Sequence, residues 1–255
     1  MVKKSLAAIF LFVISFGIFS YYSNLKVDKA MVEEPEDNVP SIDNSFDPAI
    51  LYKDWKRPDG PAKVGIQVGH WKIDEVPDEL ETLRTHTGSN GGGKSEWEVN
   101  YVIANRIAEQ LKDKGVEVEV LPATIEPKYW ADVFIAIHAD GSTDKTASGY
   151  KFASSWRDVT GKSEELVSIL DEEYGKETKL DQDPNITKNM LGYYAFAWWR
   201  YDHAIHPMTT AVIAETGFLT NKSDRKIILN HPETPAKAIS DGILKYLKEN
   251  GLLQS

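Results

Sequence analysis

The sequence predicts a single open, mostly parallel α/β sheet flanked by helices, and two observations carry that expectation. Short β-branched runs alternate along the chain with segments whose apolar residues recur at helical spacing, the order that builds a parallel sheet through helical crossovers. The 255 residues, 42% hydrophobic and 27% charged, are enough to bury one sizeable core.

The elements follow in order. A strand is expected over 64–68, a helix over 96–114, and strands over 116–121 and 133–137. Val99, Ile103, Ile107 and Leu111 form the apolar stripe of that helix. Further on, 150–153 reads as a strand, 163–174 and 186–198 as helices, and 211–214 as a buried strand. An amphipathic helix over 235–249 closes the chain. No internal repeat marks a separate binding array.

Two segments are expected ahead of a domain placed at 63–255. Residues 1–23 read as an export signal or membrane anchor, because Lys3 and Lys4 precede a run over 6–19 that is apolar on every side. Ser15 and Gly17 offer a small-x-small cleavage pair. The run continues to Tyr22, however, and approaches the ~20 residues of a spanning helix, so an uncleaved single-pass anchor is the preferred reading. Residues 24–62, with Glu33, Glu34, Glu36, Asp37 and Asp43 among prolines and serines, read as a solvated tether. The domain is therefore expected outside the cytoplasm, periplasmic or extracellular.

The formal net charge of -10 argues against nucleic acid as a partner, since phosphate binding needs clustered Lys and Arg. There is no cysteine, so any metal must be held by His, Asp or Glu. Nothing marks a self-complementary apolar patch, and a monomer is expected.

Three ionisable residues sit at or just after strand ends: His70, His138 and Glu215. In an open α/β sheet that edge is where ligands bind. A fourth, Glu96, opens the first long helix and falls on its buried stripe. A lone buried charge costs several kcal/mol unless it is paired or holds a metal, and two histidines on neighbouring strand ends supply such a site. A His, Glu, His set suits catalytic zinc, because three protein ligands leave a fourth position open. Glu215 then remains free as general base and general acid for amide hydrolysis. Taken singly, each residue also has an ordinary explanation: a strand-end histidine, a helix-start carboxylate, a loop cap.

Val68-Gly69-His70, Glu96-Trp97-Glu98-Val99-Asn100, Ile135-Ala136-Ile137-His138-Ala139 and Ala214-Glu215-Thr216-Gly217-Phe218-Leu219-Thr220-Asn221 occur in that order. The set resembles the zinc-dependent N-acetylmuramoyl-L-alanine amidases, over about residues 63–247. The resemblance implies the fold of those amidases and a zinc ion held by His70, Glu96 and His138, with Glu215 as catalytic carboxylate. It also implies a peptidoglycan substrate, cut between N-acetylmuramic acid and the L-alanine of the stem peptide by zinc-assisted water attack. A zinc peptidase acting within the stem uses the same groups, and an inactive membrane-tethered wall-binding protein keeps the same fold.

The sequence departs from the family pattern after His70, where Trp71 and Lys72 replace a usual glycine pair. A second departure is the segment 74–93, with Arg84, His86 and the Gly91-Gly92-Gly93 run, read as either a cleft wall or a surface loop. His86 is left outside the metal set as a loop histidine. The aromatic residues Tyr193, Tyr194, Phe196, Trp198, Trp199 and Tyr201 read mostly as packing. His203 and His206 lie just upstream of the Glu215 strand, where either could position substrate.

Overall fold

The computed structural model describes residues 48–253. The signal or anchor expected at 1–23, and the tether as far as residue 47, lie outside the described residues. Among the described residues no helix is long and apolar enough to cross a membrane.

In chain order the elements are β1 (Lys63–Val68), β2 (Asn90–Gly91), β3 (Lys94–Ser95), α1 (Glu96–Lys112), β4 (Glu117–Leu121), β5 (Val133–Asp140) and β6 (Lys151–Ser154). There follow α2 (Ser163–Thr178), α3 (Lys188–Leu191), β7 (Thr210–Phe218), α4 (Lys222–Ile228) and α5 (Glu233–Glu249). One sheet runs β4-β1-β5-β7-β6, parallel except for the edge strand β6, which pairs antiparallel with β7. The expected mostly parallel sheet is present.

Strand alternation divides the core in two. Val64, Ile66, Ile135, Ile137, Val212 and Ala214 face the layer of α1, α2 and α5. Phe134, Ala136, Ala211 and Ile213 face the opposite side. The helix layer is held by the stripe the sequence shows: Val99, Ile103, Ile107 and Leu111 are all buried. Glu98 closes the start of α1 by accepting from the Ser95 amide at 2.9 Å, which satisfies an amide just ahead of the helix.

The opposite face carries short 3-10 turns at Ile73–Glu75, Asp78–Thr85 and Tyr194–Phe196. Here the helix expected over 186–198 does not form. Thr187 caps a single turn, α3, and Gly192 ends it. Tyr193 then turns extended (φ -52, ψ 134), which brings the Tyr193 hydroxyl to Gln67 and the Tyr194 hydroxyl to the Ala123 carbonyl. A continuous helix would have spread these rings around its circumference, whereas the broken segment buries Tyr194, Ala195 and Phe196 against the sheet.

The described end of the expected tether, 48–62, lies against the domain. Arg57 forks onto both carboxylate oxygens of Asp132 at 2.6 and 2.7 Å, and Trp55 stacks on His206 with ring centroids 5.7 Å apart. A bidentate guanidinium contact and an indole stack are what an acidic, proline-containing composition does not reveal.

Ile107 is completely buried beneath α1. Ile107→Ala should cost about 2–5 kcal/mol, read as a lower denaturation midpoint at an unchanged slope.

Candidate metal centre

The C-terminal edge of the parallel strands gathers all four residues singled out by the sequence. His70 follows β1 by two residues, and His138 on β5 is the register partner of Glu215 on β7. Glu96 arrives from the first residue of α1. The β5–β7 register shifts between His138 and Asp140, a local bulge that lets the Ala139 amide turn to Glu96 Oε1 at 3.1 Å.

Glu96 is the hub. Its Oε1 lies 3.3 Å from His70 Nε2 and 3.1 Å from His138 Nδ1. Its Oε2 accepts from the Ser89 amide at 2.6 Å. Burial pushes this carboxyl up, but hydrogen bonds from His138 and His70 outweigh it and hold Glu96 well below the usual carboxylate range. For His70 burial acts downward, and the hydrogen bond and charge of Glu96 prevail, raising its affinity for a proton.

Each imidazole is oriented from behind. His70 Nδ1 meets the His86 carbonyl at 2.6 Å; a carbonyl only accepts, so Nδ1 carries the proton and Nε2 faces Glu96. The side chain of His86 takes no part in the triad; its backbone does. Tyr193 donates its hydroxyl proton to Gln67 Oε1 at 2.7 Å. Its oxygen therefore accepts from His138 Nε2 at 3.2 Å, which leaves Nδ1 as the nitrogen facing Glu96, carrying a proton toward the carboxylate that a metal ion would replace. Gln67 is itself fixed by the Ala123 carbonyl at 2.8 Å.

The donor atoms of His70, Glu96 and His138 all lie within 4.8 Å of one another. A tetrahedral zinc ion with ligand bonds of about 2.0–2.1 Å separates its ligand atoms by roughly 3.3 Å, close to the spacings around Glu96 Oε1. Two imidazoles whose inward nitrogens can exchange a proton for a metal, with one carboxylate and no thiol, fit zinc.

Close approach demands glycine at two positions. A Cβ on Gly69 would stand 2.4 Å from the His138 ring, and one on Gly88 (φ +78) would stand 2.6 Å from Glu96 Oε2. His70 itself sits at φ 63, a conformation that a non-glycine residue holds only when its surroundings impose it.

Glu215 lines a cleft of about 500 Å³ with the three triad residues. Its Oε2 is enclosed and meets no hydrogen-bond partner among the described residues. Burial pushes its carboxyl well up, Glu96 and Asp140 push it further, and Lys151 opposes them. Lys151 is committed elsewhere, 2.7 Å from Asp140 and 2.9 Å from Asp183. Two neighbouring carboxyls thus have opposite tendencies, one losing its proton more readily and one holding it more tightly than usual, an arrangement suited to acid-base chemistry.

Segment 74–93 forms a wall of this cleft through Gly88, Ser89 and Asn90. Gly92 and Gly93 both take positive φ (61 and 77) in the hairpin turn between β2 and β3, as a two-residue turn of this kind requires. His203 binds Glu79 instead of the cleft, and His206 meets Tyr52 edge-on and stacks on Trp55 ahead of β7, at the edge opposite the candidate metal centre. Sequence reasoning missed Gln67 and Tyr193. Gln67 had a signal, a polar residue inside an apolar strand, whereas Tyr193 was hidden in the stretch expected to be helical.

The sequence profile of the N-acetylmuramoyl-L-alanine amidase family matches residues 64–245. N-acetylmuramoyl-L-alanine amidase AmiA of Escherichia coli is 24% identical, with 75% of this chain and 78% of that protein covered. Its namesake in Salmonella typhimurium is 26% identical, covering 63% and 71%. Among solved structures, the amidase AmiC2 of Nostoc punctiforme superposes with a TM-score of 0.54 at 19% identity, covering 75% of this chain and 99% of that one. An N-acetylmuramoyl-L-alanine amidase from Clostridium difficile 630 gives 0.54 at 21% identity, covering 76% and 100%. These superpositions share the fold.

The raised Glu215 carboxyl has a stability consequence in metal-free protein. Its folded form keeps a proton that the unfolded chain releases near the ordinary glutamate value of about 4.5, so stability falls as pH rises above that value. Glu215→Gln removes the ionisable group. The variant should be more stable than wild type at pH 8 by roughly 1–3 kcal/mol, with the gap closing below about pH 4, read by thermal melts in chelator.

Proposed function

The chain belongs to the N-acetylmuramoyl-L-alanine amidase family, and from that premise we propose that His70, Glu96 and His138 hold one zinc ion while Glu215 moves the proton during hydrolysis. The protein is a peptidoglycan hydrolase that cleaves the amide between N-acetylmuramic acid and the L-alanine of the stem peptide. The observation that supports the site assignment most strongly is the buried Glu96 carboxylate between two imidazoles, beside a carboxyl with an enclosed, unpartnered oxygen.

Zinc bound there supplies Lewis acidity toward the scissile carbonyl and lowers the proton affinity of water. The protein's own groups do the rest. Gln67 and Tyr193 keep His138 in the tautomer that presents Nδ1, and the His86 carbonyl does the same for His70 Nε2. The Ser89 and Ala139 amides keep Glu96 ionised and immobile. Glu215, whose affinity for a proton is raised by burial, takes a proton from the attacking water when ionised and returns it to the departing nitrogen. The enclosed position of its Oε2 limits competing solvent contact.

We place this activity outside the cytoplasmic membrane, with 1–23 as signal or single-pass anchor. Lys3 and Lys4 ahead of the apolar run support that placement, as does a wall substrate. The enzyme acts as a monomer in this reading, which rests on the sequence showing no self-complementary apolar patch.

Purified protein should release peptides beginning with L-alanine from peptidoglycan, leaving intact muramic acid, as read by mass spectrometry. Glu215→Gln should keep its zinc and lose activity by roughly 10²–10⁴-fold; His138→Ala should lose both. Cleavage within the stem would make the protein a peptidase, and a wild type that binds no zinc and releases nothing would leave only a wall-binding role.

Tyr193→Phe removes the hydroxyl behind His138 without touching a ligand. Zinc affinity, measured by competition with a chromophoric chelator, should fall about 10–100-fold.

A further inference from the structure

Three clefts meet beside the candidate metal centre, and their linings differ in chemistry. Asn90 lines all three. On the His70 side a cleft of about 480 Å³ is walled by Trp71 and Trp97. Trp97 is 39% exposed, and Trp71 is steadied by Tyr101 with ring centroids 4.9 Å apart. On the other side, the central cleft that holds Glu215 continues past Lys145 and Thr220 into a groove of about 420 Å³ bordered by Lys222 and Arg225.

Charge separates the two sides. The chain carries a formal net charge of -10, yet among the described residues Lys145, Lys222 and Arg225 form no ion pair with a carboxylate. Lys145 binds the Ser142 carbonyl at 3.0 Å and Arg225 the Leu219 carbonyl at 2.8 Å, contacts that orient a cation without neutralising it. Of the acids nearby, Asp140 is paired with Lys151, and Asp144, turned back onto Thr146, forms no ion pair with the three cations. An acidic protein that leaves three cations unpaired along one groove has a surface complementary to an anionic ligand.

Resting on the amidase reading above, we propose that the substrate lies in one direction across the centre, with the sugar on the Trp71 and Trp97 side and the free carboxylates of the stem peptide on Lys145, Lys222 and Arg225. Sugar rings present C–H faces that pack on indoles, and peptide carboxylates meet ammonium and guanidinium groups. The position of Glu215 agrees independently. It lines the cleft that leads to the cations and is absent from the tryptophan cleft. The group that protonates the leaving nitrogen therefore stands on the side that takes the peptide.

The test uses the full chain with zinc and four soluble substrates. Two are muramoyl tripeptides that differ only in having free or amidated peptide carboxylates; two carry the same peptide on a short or a long glycan. Wild type should favour the free acid in kcat/KM by roughly fivefold to tenfold, as expected of several partly exposed ion pairs. Lys145→Gln, Lys222→Gln and Arg225→Gln together should abolish that ratio while keeping any preference for glycan length. Trp97→Ala should raise KM on the longer glycan and leave the acid-to-amide ratio intact. Zinc content and melting temperature of each variant separate these shifts from damage to the centre. An equal rate on acid and amide in wild type would overturn the proposal, as would the two variants exchanging their effects. If wild type releases no peptide from any substrate, the amidase reading itself fails and takes this orientation with it.

Discussion

The structure around the site depends on how one buried charge is accommodated. Glu96 is 3% exposed, and an isolated carboxylate at that depth costs several kcal/mol, comparable with the net stability of a whole domain. The fold meets that cost with two imidazoles, two backbone amides and the Asn100 side chain. Each partner requires something further. His138 must stand close enough to β1 that position 69 has no room for a Cβ, and the chain before Ser89 must pass Glu96 so closely that position 88 is glycine too. The bulge in β5, the left-handed backbone of His70 and the course of segment 74–93 all serve to surround this carboxylate.

Glu215 follows the opposite logic. It is placed beside Glu96 and Asp140 at the cleft wall, with one oxygen enclosed and unpartnered. Such a group weakens the fold, and its retention makes sense where a proton must be held and moved. The pair illustrates how environment separates identical functional groups: a carboxyl stays ionised where hydrogen-bond donors converge and holds its proton more tightly where they are withheld.

The two faces of the sheet are built for different purposes. The helix layer of α1, α2 and α5 packs on one face with regular spacing, and its pattern is plain in the sequence. The other face is covered by short turns and aromatic rings. That irregularity brings Tyr193 and Gln67 to the back of His138, which a long helix over 186–198 could not do. Phe196 and Tyr194 remain core residues, as most of the aromatic stretch was expected to be, while Tyr193 serves the site.

The sequence by itself determined most of the alternating elements and the mostly parallel sheet, and it singled out His70, Glu96, His138 and Glu215, which the fold gathers at one edge. Strand ends in an open parallel sheet share one edge, and a carboxylate on a helix's apolar stripe demands a partner; both rules act over a few residues and are legible locally. Tertiary structure alone decided the rest. It paired Tyr193 with Gln67 across 126 positions, brought the His86 carbonyl rather than its ring to the site, and sent His206 to the far edge of the sheet. It also gathered Lys145, Lys222 and Arg225 onto one groove and folded 48–62 onto the domain. Contacts of that kind depend on which loops meet after the sheet has formed. No propensity or periodicity within a short window records them.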